Sequence, residues 1–401
     1  SKVTTIATND ACDLPSRLPH QHTKTQSHPA DGQASTLAEF PLPLPDITPL
    51  DVPPEVLGHA PEVLHADLLQ DPSYDVSSIL DYDAMVAVED NTACGLRNLG
   101  NTCYANALIN SLAKLPSCRQ WFGRHQAIAE ADSTHDPACT LCALAGDIAR
   151  LTVVDVNEPF APEVVRRRAS WDALGTFANT SQHDAAEAFN ALVLKCDMGD
   201  FLKFKSFDFA AGVRDDSPSA FTTPHWKIFG SLVKSSTNCA SCLHVIDKYE
   251  MMSSFSLAVP DQGEHQIETL FADSLGHETL DDICPSCSAS RQRSKTTVLQ
   301  ISPQVLVLHL KRWKFNARRN VFEKLHTRVS FETLLPLHVH AYDLRSVIVH
   351  HGEAGAGHYT AFVRAADNYW YHCDDACPPR LCRHVSEVLR CQAYMLMYER
   401  R

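Results

Sequence analysis

The stretch Asn98-Leu-Gly-Asn-Thr-Cys-Tyr-Ala-Asn106 sets a cysteine directly behind a short polar turn and ahead of an apolar run with helical spacing. Leu108, Ile109, Leu112 and Leu115 then fall on one face before Pro116, so a helix is expected to open at Cys103. A thiol attacks a carbonyl as its thiolate, and the unpaired N–H groups at a helix start favour that negative charge. The turn from Gly100 to Thr102 leaves backbone N–H groups to face a developing oxyanion, and Asn98 offers a neutral side-chain amide for the same task. A lone cysteine at a helix cap is more often a buried structural thiol. Reading Cys103 as a nucleophile therefore requires a base from elsewhere in the chain.

One comes from Gly355-Ala-Gly-His-Tyr-Thr-Ala-Phe-Val-Arg364, followed by Asn368-Tyr-Trp-Tyr-His-Cys-Asp-Asp375. If the two runs pair as a hairpin turning around Ala365 to Asn368, His358 lies opposite Asp374 or Asp375. A carboxylate beside an imidazole fixes its tautomer and stabilises its protonated form, leaving the other ring nitrogen for the thiol proton. With 21 histidines in the chain, chance pairings of this kind are common.

The 401 residues are 44% hydrophobic, enough for a substantial core, and no apolar run is long enough to span a membrane. The N-terminus lacks the order of a signal peptide, so an intracellular setting, cytoplasm or nucleus, is expected. A net charge of −13 argues against broad nucleic-acid binding. The cysteines number fifteen, which points to metal and catalytic uses in a reducing compartment rather than to a disulfide framework.

Residues 1–90 are rich in proline, as in Phe40-Pro-Leu-Pro-Leu-Pro-Asp46, and are expected to form a tail with little structure of its own. Within it, Leu64 to Met85 reads as a marginal helix or docking strip. From about 93 to 401 the pattern is that of a folded domain. Helices are expected over Cys142 to Leu151 and Asp184 to Cys196, and strands over 304–312, 346–350, 359–364, 368–373 and 393–398. The fold class is α+β, with a helical lobe facing a mostly antiparallel one.

Cys239-Ala-Ser-Cys242 and Cys284-Pro-Ser-Cys287 are two C-x-x-C knuckles with enough chain between them for a small β finger. Four thiolates close a tetrahedral zinc site with no open position, so its role is structural. A second zinc site would draw on Cys139, Cys142 and either His135 or His125. Cys373, Cys377, Cys382 and Cys391 have irregular spacing and read as buried or loop thiols.

These motifs together resemble the ubiquitin-specific protease family of cysteine deubiquitinases. The opening box is Gly95 to Leu112 and the closing box His350 to Arg364 with Tyr369 to Asp375. Gln182 to Phe189 and Val305 to Trp313 resemble the intermediate boxes, and Ala393 to Arg400 the ending. The resemblance implies a papain-like right hand with a helical thumb, a β palm and zinc-bearing fingers inserted at about 226–300. It implies a monomeric thiol-dependent hydrolase acting at the ubiquitin C-terminus, with ubiquitin and ubiquitinated proteins as partners and no organic cofactor. Cys103 matches the nucleophile, His358 the base, Asp374 the third triad member and Asn98 the oxyanion amide, with Asp375 in support. Asp184, Glu187 and Tyr359 match positions along the channel for the ubiquitin tail. His183, Ala186, Trp313 and Cys373 depart from the family pattern. The alternatives are a zinc-stabilised ubiquitin-binding module of negligible turnover and a protease for another ubiquitin-like modifier.

Overall fold

The computed structural model describes residues 94–152, 158–201, 223–288, 293–337, 339–353 and 356–401. The tail expected over 1–90 lies outside the described residues. Helix α1 (Cys103–Ala113) begins at the cysteine itself. All eleven of its residues are buried, so it is a central helix rather than the one-faced helix its leucine spacing suggests. Two of its polar residues bond back within the helix: Asn110 Nδ2 donates to the Asn106 carbonyl at 2.9 Å and Ser111 Oγ to that of Ala107 at 2.9 Å.

Around α1 stand α2 (Pro116–Ala131), α3 (Thr140–Thr152), α4 (Glu163–Arg166), α5 (Ala185–Phe201) and α6 (Pro224–Phe229). Proline at the first position of α2 starts that helix without losing a bond, since the N–H it lacks would have no intrahelical acceptor there. Helices α3 and α5 cover the two helices expected from the sequence.

The strands are β1 (Ser231–Cys239), β2 (Val245–Met252), β3 (Phe255–Ala258), β4 (Glu264–Gln266), β5 (His277–Leu280), β6 (Arg293–Ile301), β7 (Val305–Lys311) and β8 (Trp313–Asn316). They continue as β9 (Val321–Lys324), β10 (Arg328–Ser330), β11 (Leu334–Leu337), β12 (His340–Glu353), β13 (Ala356–Arg364), β14 (Trp370–Cys373), β15 (Arg380–Leu381) and β16 (Ala393–Arg400). Helices α7 (Ile267–Leu275) and α8 (Ser386–Leu389) complete the described α-helices, and two short 3-10 turns lie at Arg168–Ser170 and Thr176–Ala178. The main sheet runs β15-β14-β13-β12-β16-β7-β3, with β11 also on β12, and only the β3–β7 pair is parallel. Strands β2-β1-β6-β5 form a separate antiparallel sheet. Helical lobe, mixed sheet and separate sheet make the thumb, palm and fingers of a right hand.

Side-chain alternation divides the palm between two cores. On β7, Val305 and Val307 join the helices while Leu306, Leu308 and Leu310 join the core with α7. Two bulges interrupt β12 against β16. Ile348 pairs with Met395 but Val349 with Ala393, which leaves Tyr394 unpaired, and Leu344 pairs with Tyr398 but Ser346 with Met397, which leaves Arg345 unpaired. Tyr394 consequently shares the helical side with Met395. Arg345 reaches Glu399 at 3.5 Å, whose other oxygen accepts the Ser117 N–H at 2.9 Å and hydroxyl at 2.6 Å at the start of α2.

Candidate active site

The turn ahead of Cys103 is built by Asn98. Its Oδ1 accepts the N–H of Gly100 at 2.9 Å and of Thr102 at 3.0 Å, while Leu99 N–H donates to Thr102 Oγ1 at 2.8 Å. Gly100 (φ 97°) and Asn101 (φ 55°) lie in the left-handed region, which a glycine and an asparagine tolerate best. Cys103 is buried and is the first residue of α1, so its N–H has no intrahelical acceptor.

His358 arrives on β13 and Asp374 just past the end of β14. His358 Nε2 donates to Asp374 Oδ1 at 2.6 Å, which fixes the tautomer and leaves Nδ1 as the nitrogen able to meet the Cys103 thiol. The hairpin register differs from the expected one. Ala361 pairs with Cys373, where the expected register set Tyr371 or His372, so straight pairing carries neither acid to His358. Asp374 reaches it because the strand stops there and turns, with Cys377 N–H donating to the Asp374 carbonyl at 2.9 Å and Asp375 at φ 40°. The Asp374 carboxylate, then Cys103, push the His358 imidazole up to about 10 against the opposing pull of burial. The same hydrogen bond holds the Asp374 carboxyl below its ordinary value.

Asp375 is a structural hub beside this pair. Its Oδ2 accepts Asn98 Nδ2 at 2.8 Å, its Oδ1 accepts Asn106 Nδ2 at 2.8 Å, and its carbonyl accepts the Leu96 N–H at 2.7 Å. Burial raises its carboxyl, with the two amides opposing. Gly95 is needed beneath it, because a Cβ there would stand 2.6 Å from the Ala376 carbonyl.

Gln182 has no assigned role in the sequence reading, although it heads one of the boxes. It grips Gly357 at both ends, Nε2 donating to the carbonyl at 2.7 Å and Oε1 accepting the N–H at 3.1 Å, and its Nε2 lies 3.8 Å from Cys103 Sγ. It thus holds the residue before His358 and touches the thiol.

Asp184 caps α5, its Oδ1 accepting the N–H of Ala186 at 2.7 Å and of Glu187 at 3.1 Å. Its Oδ2 accepts the hydroxyl of the bulged Tyr394. Glu187 is exposed on the first turn of α5. Tyr359 is only 3% exposed and sits against His350 (ring centroids 4.7 Å apart) and Tyr394 (5.6 Å). Of the departures, His183 bonds Asn179 Oδ1 at 2.9 Å, Ala186 is buried on α5, Trp313 packs edge-on to His350 at 5.0 Å, and Cys373 closes β14 as a buried residue. Cys382 is also buried, and Cys377 and Cys391 are half-buried.

At the far end of β1, the sulfurs of Cys239, Cys242, Cys284 and Cys287 all lie within 4.8 Å of one another. Cys239 and Cys287 are 3.7 Å apart, as are Cys242 and Cys284. Two thiolates about 2.3 Å from one tetrahedral zinc stand about 3.8 Å apart, so the donor set fits that ion. The knuckles are near copies: Leu243 N–H donates to the Cys239 carbonyl and Ser288 N–H to that of Cys284, both at 2.9 Å, with Leu243 at φ 58° and Ser288 at φ 57°. Backbone N–H groups within each knuckle lower its first thiol, Cys284 and Cys239, the latter to about 6.

The model of the ubiquitin carboxyl-terminal hydrolase family matches residues 94–398, which contain every one of these groups. The chain belongs to the ubiquitin carboxyl-terminal hydrolase family. Ubiquitin carboxyl-terminal hydrolase 23 of Arabidopsis thaliana is 27% identical over 326 residues, covering 76% of this chain and 35% of the relative. Ubiquitin carboxyl-terminal hydrolase 36 of Drosophila melanogaster is 24% identical over 323 residues, 76% of this chain and 30% of the relative. The chain thus spans about a third of the length of these relatives. Among solved structures, a chain of the SAGA DUB module of Ubp8, Sgf11, Sus1 and Sgf73 bound to monoubiquitin superposes with a TM-score of 0.64 at 21% identity, over 81% of this chain and 74% of that one. The same module bound to ubiquitin aldehyde gives 0.64 at 20% identity, over 86% and 76%. At that identity the likeness establishes the shared hydrolase fold.

Proposed function

We propose that residues 93–401 form the catalytic domain of a thiol-dependent deubiquitinase, hydrolysing the isopeptide or peptide bond at the ubiquitin C-terminus. The observation that carries this reading is the His358–Asp374 pair beside Cys103 at a helix start, in a chain of this hydrolase family. His358 takes the Cys103 proton, and the thiolate attacks the carbonyl carbon of the ubiquitin terminus. The resulting oxyanion meets the Cys103 N–H and the second hydrogen of Asn98 Nδ2, whose first is held by Asp375. His358 returns its proton to the leaving lysine amine as the thioester forms, and water activated by His358 then releases ubiquitin and restores the thiol.

Asp184, Glu187 and Tyr359 serve the channel for the ubiquitin tail. Zinc on Cys239, Cys242, Cys284 and Cys287 would supply no chemistry, only a fixed fingertip for holding the body of ubiquitin. The reading places the enzyme in the cytoplasm or nucleus as a monomeric catalytic unit. No described helix is long and apolar enough to cross a membrane. The test is covalent labelling by ubiquitin carrying a C-terminal electrophile, run beside probes of related modifiers. Wild type should label with the ubiquitin probe and Cys103→Ala should not. Absence of labelling, or labelling that survives Cys103→Ala, would overturn the reading.

A further inference from the structure

Away from the catalytic groups, His125, His135, Cys139 and Cys142 bring their ligating atoms within 4.8 Å of one another in the helical lobe. They come from three places. His125 lies on the buried stripe of α2 with Cys118, Trp121 and Phe122; His135 lies in the loop that follows; Cys139 immediately precedes α3 and Cys142 is on its first turn. Sequence spacing supplied one knuckle and a choice between the two histidines, and the fold brings both.

Ordinary hydrogen bonding accounts poorly for the arrangement. One atom, His125 Nε2, stands 3.4 Å from Cys139 Sγ and 3.2 Å from Cys142 Sγ, while His135 Nε2 approaches Cys142 Sγ from another side at 2.9 Å. A ring nitrogen has a single hydrogen or lone pair and directs it at one partner. Two sulfurs at nearly equal distance from it, with a second imidazole turned to the same sulfur, describe donors around a common centre. A sulfur and a nitrogen on one tetrahedral zinc stand about 3.6 Å apart, so the His125 contacts are near that length and the 2.9 Å contact opens by some tenths of an ångström. The Cys139 carbonyl accepts the Ala143 N–H, the same backbone bond that shapes the two fingertip knuckles.

We infer that His125, His135, Cys139 and Cys142 form a second structural metal site, of the zinc type, which ties the end of α2 and the following loop to the start of α3. On binding, each thiol gives its proton to solvent, and two thiolates with two neutral imidazoles balance a divalent ion's charge, which suits a centre whose His125 and Cys139 are buried and whose His135 and Cys142 are half-buried. Four protein ligands leave no open position, so the ion takes no part in the thiol chemistry. The inference does not depend on the chain's activity.

Its test is metal content of the full chain purified without chelator. Wild type should carry about two zinc ions per chain, and Cys139→Ser/Cys142→Ser and Cys284→Ser/Cys287→Ser about one each. Alkylation followed by mass spectrometry on wild type decides the matter even where a variant fails to fold. Cys139 and Cys142 should become reactive on chelation, while the core thiol of Cys118 stays protected. A wild type with one zinc that Cys139→Ser/Cys142→Ser retains, or alkylation of Cys139 and Cys142 unchanged by the chelator, would overturn the site.

Discussion

His358 is held well above its ordinary titration by the Asp374 carboxylate and by Cys103. Its imidazole is held up to about 10, above the ordinary 6.5, so the stabilisation that protonation gives the fold is complete below about pH 6.5 and lost as pH rises through about 10. Both partners are more than a third exposed, at 39% and 38%, so water screens the size of the effect. The denaturation midpoint of wild type should exceed that of Asp374→Asn most near pH 6.5, and the gap should shrink toward pH 10 and again in acid as the Asp374 carboxyl protonates; a gap that widens toward pH 10 contradicts the pairing. The same variant should turn over a ubiquitin conjugate slower by about 10² or more, because the wrong tautomer then faces the thiol. Gln182→Ala should act differently. By releasing Gly357 it loosens the approach of His358, and a misplacement near 1 Å costs up to about 10² in rate. The loss is expected in kcat with KM little changed; a pure KM effect would assign Gln182 to binding instead.

At the scale of elements, β13, which carries His358, is held against β12 by a close approach. A Cβ on Gly357 would stand 2.1 Å from His350 Nε2 and 2.6 Å from the His351 carbonyl. Gly357→Ala should therefore cost about 1–3 kcal/mol in chemical denaturation, with a fall in probe labelling; an unchanged midpoint would show that β12 and β13 can part without strain. The next hairpin along, β13 with β14, marks the limit of what the sequence conveys. Strand residues and turn were legible in the 359–373 pattern, because alternation and turn chemistry are local. The register was not, because it depends on where the chain leaves the ladder after Cys373, a choice set by contacts from Asp375 to Asn98, Asn106 and Leu96. The grouping of the four fingertip cysteines was legible from spacing, whereas the reading of Cys103 rested on the distant hairpin and the family resemblance. Gln182 and the convergence of both thumb histidines were not, since each depends on elements distant in sequence meeting side by side.

Over the described residues as a whole, one sheet separates two cores and carries the His358 hairpin toward its edge. The helical lobe, bearing Cys103, must keep its position against that sheet, which bears His358. Two polar ties across this junction come from the bulged positions: Tyr394 to the cap of α5, and Arg345 with Glu399 to the start of α2. The bulges lie on opposite strands, so the offset introduced by one is cancelled by the other, and the pairing beyond both returns to its original phase. This makes the two extra residues a matched set with respect to chain length. Deleting Tyr394 alone or Arg345 alone should throw part of the ladder out of phase and unfold the palm, since a one-residue slip exchanges inward and outward faces. Deleting both should restore soluble, folded protein with the thumb less firmly seated, measurable as recovered expression and a cooperative melt. Insertions and deletions in these strands would then be tolerated in pairs, never singly.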